Sequence, residues 1–347
     1  MVTSAEIALR AGVSRGTVDR VLHNRGKVSP EKEALVRQIA SELGYVPNLA
    51  GRGLAVRKKS LRIGMLYPKD DRMTPFFKKV VAGAQEYAES LSAYNAAAVF
   101  LPRNGAVPAR EEEIRSMIED AGLDAIAFDG ETAMNCRQLL KELKEKGVPF
   151  VLYNSDLQID GQLAYIGCDY EKAGRIACGL AAMGRKDKIC VGIASHDFGN
   201  VVSSSARIRG FEDEMRRFPD MSVSFRQFMS ADLNQDEFFE HVRSRVQEHP
   251  EVNVMYVVNP GDYSICRLIH DIRRDIAIIT NDLIDEHQRQ MIQSGEIAAT
   301  ICQQPEVQGA KSLEILFRHL AFGEKPQSDW FRTRLSIIIA QNADEEI

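Results

Sequence analysis

Apolar positions along this chain follow one rhythm up to about residue 60 and another beyond it. In the first stretch they recur at helical spacing in short bursts. Thr3-Ser4-Ala5-Glu6 reads as a capping box, which predicts a helix running to about Ala11. Gly12 supplies the backbone freedom for a turn, and Ser14 is placed to cap a second helix in which Val18, Val21 and Leu22 point inward. A third helix is expected after Ser29-Pro30-Glu31, with Leu35, Ile39 and Leu43 as its apolar stripe and Gly44 as its stop. Two helices joined by so short a turn predict a helix-turn-helix, and the third closes a small core. The outward face of the second helix then carries Arg15, Gly16, Asp19 and Arg20, a basic surface suited to a DNA groove.

From Leu61 onward, short continuous apolar runs alternate with amphipathic stretches. Strands are expected near 61–67, 96–101, 125–128, 150–153, 163–166, 189–194, 223–229, 252–258, 276–280 and 298–301. Helical period appears between them, as at 75–91, 109–121, 136–146, 170–183 and 235–248. This alternation predicts parallel sheets covered on both faces, and so many strands divide more naturally into two sheets than one. Ligands are then expected in the crevice at the carboxyl ends of the strands.

Between the two regimes lies Pro47-Asn48-Leu49-Ala50-Gly51-Arg52-Gly53-Leu54, whose two interior glycines each cost a helix about 1 kcal/mol relative to Ala. The segment fits a flexible linker. It equally fits a helix formed only on DNA, with Leu54 as an apolar wedge for the minor groove.

Charge sharpens the division. Residues 1–59 hold 11 Lys and Arg against 5 Asp and Glu, a balance of +6, while the remaining 33 against 44 give −11. A basic head on an acidic body suits one end meeting phosphates while the other does something else. The six cysteines stand singly in apolar segments with no C-x-x-C pair and no His at metal-ligand spacing, so reduced core thiols are expected, and neither metal nor cofactor. Without a signal-like N-terminus or a membrane-length apolar run, the expectation is a cytoplasmic protein with no membrane partner.

Residues at the expected strand ends are mostly carboxylates and amides: Asp70, Asp129, Asn154-Ser155-Asp156, Asp169, Asn259, Asn281-Asp282 and Gln303-Gln304. They suit a neutral polyhydroxylated molecule better than a phosphate, which would call for more cations and glycine-rich turns. Ser195-His196-Asp197 holds triad residue types, but three consecutive residues cannot form a relay, and no nucleophile elbow or P-loop occurs. No catalytic residue is assigned, and no enzyme activity is expected.

The stretches Ala8-Leu9-Arg10-Ala11-Gly12-Val13-Ser14, Thr17-Val18-Asp19-Arg20-Val21-Leu22 and Leu43-Gly44-Tyr45-Val46-Pro47-Asn48-Leu49-Ala50 resemble the LacI/GalR family of transcriptional regulators. In the body, Thr74-Pro75-Phe76-Phe77, Tyr165-Ile166-Gly167-Cys168-Asp169, Arg207-Ile208-Arg209-Gly210-Phe211 and Ala299-Thr300-Ile301-Cys302-Gln303-Gln304-Pro305 are similar to landmarks of the same family. The resemblance spans essentially the whole chain. It implies a small all-α helix-turn-helix head (1–46), a hinge helix (47–59), and an α/β core (60–347) of two doubly wound parallel-sheet subdomains like type I periplasmic binding proteins. The N-subdomain would comprise about 60–167 and 304–333, the C-subdomain about 168–303 and 334–347.

By the same resemblance, Thr3, Ser14, Arg15, Gly16, Thr17, Asp19 and Arg20 would face operator DNA, with Asn48, Ala50 and Leu54 in the hinge. Asp70, Phe76, Phe77, Asp129, Asn154, Arg207, Asn259, Asp282 and Gln303 would line the effector cleft. Plain core packing is the competing reading of the phenylalanines. The implied function is a repressor binding a pseudo-palindromic operator as a homodimer, or a tetramer, under control of a sugar-like effector. Competing readings are an activator, a ligand-sensing or solute-binding protein, and a non-sugar or phosphorylated effector. Two departures stand out: Asp19 replaces the family's usual Ser, and Asn154-Ser155 replace an acid and an arginine.

Overall fold

The computed structural model describes residues 4–22, 28–43, 60–69, 75–105, 108–183, 187–195, 201–230, 233–282 and 285–344. The expectations for Thr3, for the hinge with Asn48, Ala50 and Leu54, for Asp70, and for His196 and Asp197 lie outside these residues.

The described head has three helices, α1 (Ser4–Ala11), α2 (Arg15–Leu22) and α3 (Pro30–Glu42). Gly12 turns at φ +63°, and the Ser14 hydroxyl accepts the Thr17 amide at 3.1 Å, capping α2. Ile7, Ala8, Ala11, Val18 and Val21 meet Val36 and Ala40 in a small core. The α3 stripe differs from the expected one. Ile39 and Leu43 pack at its margin, but Leu35 is 42% exposed while Val36 is fully enclosed. Turning the helix by one residue brings the short side chains of Val36 and Ala40 inward, where α1 and α2 lie close.

The chain then builds one lobe from β1 (Leu61–Lys69), α4 (Pro75–Leu91), β2 (Ala96–Asn104), α5 (Glu111–Ala121), β3 (Ala125–Asp129), α6 (Gly130–Asn135), α7 (Arg137–Glu145), β4 (Phe150–Tyr153) and β5 (Tyr165–Gly167). It crosses at 168–169 into a second lobe of α8 (Tyr170–Ala182), β6 (Ile189–Ser195), α9 (Val201–Met215), β7 (Met221–Phe228), α10 (Gln235–Glu248), β8 (Val254–Asn259), α11 (Ser264–Ile272), β9 (Ala277–Asn281), α12 (Glu286–Gln293) and β10 (Ala299–Cys302). It returns at 303–304 through α13 (Pro305–Phe322) and β11 (Trp330–Arg332), then crosses again at 333–335 to reach β12 (Ser336–Ile338).

The sheet orders match, β11-β5-β4-β3-β1-β2 and β12-β10-β9-β8-β6-β7. Alternate residues of each inner strand feed opposite cores: Phe150 and Leu152 of β4 face one side, Val151 and Tyr153 the other. That two-sided burial is why these strands read as unbroken apolar runs. One edge departs from the parallel expectation, since β12 runs antiparallel to β10 with Ser336 opposite Cys302. The chain enters the second sheet at the crossover end with no helix to carry it to the far end, so it can only run backwards. The expected helix at 136–146 is present as α7, and a separate short helix, α6, capped by Asp129 and ending at Cys136, precedes it.

The head core yields a direct test. Val36→Ala should cost the head about 2 kcal/mol, seen as faster amide exchange across 4–43 in the full chain, whereas Leu35→Ala should stay within about 0.5 kcal/mol. Equal effects would contradict the α3 packing described.

Candidate functional site

On α2, Ser14, Arg15, Gly16, Asp19 and Arg20 are solvent-exposed and Thr17 is half-buried, opposite the enclosed Val18 and Val21. Arg20 is held along the helix: its Nε donates to the Gly16 carbonyl at 3.1 Å and one terminal nitrogen lies 3.5 Å from the Thr17 hydroxyl. That hydroxyl is in turn 2.9 Å from Ser14 Oγ. The head therefore presents an exposed polar face on a helix whose other face is locked into its core.

Where the two sheets meet, the crossovers bring together residues far apart in sequence. Arg207 of α9 is buried, with a terminal nitrogen 3.7 Å from Asp282 Oδ2 and the guanidinium carbon 4.9 Å above the centre of the Tyr170 ring. Asp282, just beyond β9, adopts φ +67° and receives the Gln303 side-chain amide at 3.2 Å. Gln303 Oε1 accepts the Cys168 thiol at 3.3 Å, so the first two crossovers touch through their side chains. Asn154 also adopts a left-handed conformation, φ +65°, and its side-chain oxygen is 2.8 Å from the Tyr170 hydroxyl. Asn154, Tyr170, Arg207, Asp282 and Gln303 thus form one buried cluster at the carboxyl ends of β4, β9 and β10.

The aromatic pair lies on the first turn of α4. Phe76 and Phe77 pack edge to face at 5.3 Å and 89°, and Phe77 also meets Tyr153. Both are buried within the apolar core of their lobe, and the described contacts are those of core packing. Asn259 is half-buried, and its side-chain oxygen accepts the Gly261 amide at 3.2 Å. Asp129 is committed elsewhere. Its carboxylate accepts the Thr132 amide at 3.0 Å and hydroxyl at 2.5 Å, with Arg103 4.0 Å away, so the described geometry makes it a helix cap and ion-pair partner.

Burial governs the electrostatics. It raises the Asp282 carboxyl above its ordinary pKa, with Arg207, Gln303 and Lys79 opposing and Glu306 adding to the rise. Asp129 is raised for the same reason, against Arg103 and Thr132. The Cys168 thiol is pushed up to about 12 by burial, which keeps it a neutral donor. Among the described residues, Ser195 Oγ, Arg207 Nε, Asn281 Oδ1 and Asp282 Oδ1 are buried without a hydrogen-bond partner. Leaving each so costs about 1–3 kcal/mol, more for the charged groups.

Several of these residues were beyond the reach of sequence reasoning. Tyr170 looks like an ordinary apolar opening to a helix until Asn154 is brought beside it. Lys79 and Glu306 pair at 3.3 Å across 227 positions of sequence, and the buried Arg103 reaches Thr132 from a different strand. No local spacing announces either contact.

Against this geometry, a profile of bacterial regulatory proteins of the lacI family matches residues 3–48, and one of the periplasmic binding protein domain matches 63–325. The chain carries a lacI-family regulatory domain at its head and, over most of its length, belongs to the periplasmic binding protein domain family. It is similar to the ribose operon repressor of Lactococcus lactis subsp. lactis, 24% identical over 296 residues, covering 83% of each chain. In fold it resembles a Bacteroides fragilis protein described as a LacI transcriptional regulator, with TM-score 0.73 and 21% identity over 83% of this chain and 100% of that one. It also resembles a solute-binding protein from Agrobacterium vitis bound to α-D-tagatopyranose, with TM-score 0.70 and 20% identity over 82% and 97%. The protein is a DNA-binding transcriptional regulator. No helix among the described residues is long and apolar enough to cross a membrane.

The raised Asp129 carboxyl gives a pH test. A carboxyl that holds its proton more tightly folded than unfolded weakens the fold while ionised, and the penalty fades as pH falls through its folded pKa. Asn at this position can still accept the Thr132 amide but cannot titrate. Wild type should therefore gain thermal stability relative to Asp129→Asn as pH drops from 7 towards about 4. A difference that moves the other way would contradict the assignment.

Proposed function

We propose that this protein is a cytoplasmic, non-enzymatic repressor that binds a pseudo-palindromic operator as a homodimer and responds to an uncharged sugar held between its two lobes. What carries the reading is the presence, in one chain, of a helix-turn-helix with an exposed polar face and a two-lobed core with a buried polar cluster at its crossovers. Ser14, Arg15, Gly16, Thr17, Asp19 and Arg20 would meet the major groove, with Thr3, Asn48, Ala50 and Leu54 as further DNA contacts. Phe76 and Phe77 would bound the apolar face of a sugar ring. Arg207, Asp282, Gln303, Asn154 and Asn259 would bind its hydroxyls, with Asp70 and Asp129 at the margin.

The effector's charge can be argued from the ion pairs. Arg207 is matched by Asp282, Lys79 by Glu306, and Arg103 by Asp129 and Glu131. A phosphorylated sugar would have to compete with a carboxylate for each cation, whereas hydroxyls can donate to Asp282 and accept from Arg207 with the pair intact. Control then needs only that the sugar bind one arrangement of the lobes better than another.

Binding to duplex libraries should select one short sequence about a thousandfold or more over random duplex. Equal affinity for both would defeat the proposal. Asp19→Ser should change which duplex is selected more than it changes overall affinity. Uniform tightening on every sequence would reduce Asp19 to a repulsive bystander. Arg207→Met should weaken sugar binding about 10–100-fold while selected-duplex binding persists, and joint loss would indicate misfolding instead.

A further inference from the structure

Each lobe joins two helices at a crossing too close for side chains. Gly83 of α4 lies against the backbone of Glu306, so an added Cβ would fall 2.6 Å from the Glu306 Cα, while Gly309 of α13 abuts the Val80 carbonyl group. In the second lobe a Cβ on Gly174 of α8 would fall 2.8 Å from the Phe211 amide nitrogen and within the contact distance of the Arg207 carbonyl. Gly210 of α9 abuts the backbone of Glu171 in the same way. The spacing is identical: Val80/Gly83 faces Glu306/Gly309, and Arg207/Gly210 faces Glu171/Gly174. These are four distances of three residues, arranged about a local two-fold.

The crossings have matching wiring. In each, one helix starts directly after a crossover: α8 after Cys168-Asp169 and α13 after Gln303-Gln304. The other helix carries residues of the sugar site proposed above, Arg207 on α9 and Phe76-Phe77 on α4. The two crossover residues at equivalent places, Cys168 and Gln303, are the pair that touch at 3.3 Å. Asn154 and Asp282 are likewise equivalent: both are left-handed, and their amides donate to Ile166 and Ile301 at 3.1 and 2.9 Å.

We infer that Gly174 and Gly210, with Gly83 and Gly309 as their counterparts, are positioning residues of that site, clamping each site-bearing helix to the helix that begins at a crossover. Arg207 is the sharper case, because its own carbonyl is the backbone group that Gly174 accommodates. A side chain at residue 174 has to push apart α8 and α9, which carries Arg207 away from Asp282. The geometric part of this inference is independent of ligand, and its consequence for sugar binding rests on the function proposed above.

Thermal melts of the ligand-free full chain test it through a double-mutant cycle. Gly174→Ala should lower Tm by several degrees in wild type and by measurably less in an Arg207→Met background, where the overlap with the residue 207 carbonyl persists but the ion pair that the displacement would strain is already gone. Gly83→Ala should cost the same in both backgrounds. Gly179→Ala, on α8 with nothing within 4 Å of an added Cβ, should not lower Tm at all. Equal cost of Gly174→Ala with and without Arg207 would overturn the inference. Should Gly174→Ala fail to fold, amide exchange of Arg207→Met reads the same coupling from the other end. Amides of α8 should exchange about tenfold faster with those of α4 unchanged, and unaltered α8 exchange would overturn the inference.

The sugar arm uses D-ribose, D-allose, D-arabinose and D-tagatose, taking forward the one that raises wild-type Tm most. Gly174→Ala should weaken its binding about 100-fold, the cost of a displacement near 1 Å, and add nothing to Arg207→Met. If none of the four raises wild-type Tm, the sugar reading is what fails, and the ligand-free cycle still decides the positioning role.

Discussion

Four segments of this core converge on the burial of Arg207 beside Asp282. A guanidinium and a carboxylate removed from water are tolerable only together, and removing either strands the other at a cost of about 3–5 kcal/mol. The pair ties α9 to the end of β9, and Tyr170 beneath the cation ties in α8. Gln303 adds the second crossover to the same carboxylate. Four segments from distant parts of the sequence therefore share one electrostatic requirement, and it lies where the lobes meet.

The lobes repeat the same scaffold but furnish it differently. One holds aromatic carbon at Phe76 and Phe77, packed in its core, and the other holds ionic and amide groups at Arg207 and Asp282. A pyranose or furanose ring has the same division, with C–H groups on its faces and hydroxyls at its rim. Two copies of one architecture so furnished would suit, on the function proposed above, a ligand that is itself two-natured.

Much of this architecture was legible because parallel strands buried on both faces leave unbroken apolar runs, and because a glycine turn followed by a capped basic helix has few other uses. The end of β4, the position of α4 and the extent of α10 all follow from such patterns. Asp129 was less legible, since a carboxylate after a strand looks the same whether it caps a helix or meets a ligand, and only Thr132 and Arg103 decide its geometry. Leu35 shows the limit of periodicity: a single-residue rotation of α3 exchanges it for Val36, and the difference is set by how closely α1 and α2 approach. β11 and β12 are three residues each and borrow their order from neighbouring strands, so no local pattern marks them.

The third crossover has an optical consequence. The chain contains one tryptophan, Trp330, whose indole N–H donates to the Gly167 carbonyl at 3.0 Å and whose ring lies 4.1 Å beneath the Arg332 guanidinium. Gly167 ends the strand before the first crossover, and Arg332 ends the strand before the third. Both partners belong to the same sheet as the indole, β5 and β11 of the first lobe. Emission from this single chromophore therefore reads the packing at the foot of those two crossovers, with no second indole to dilute the signal.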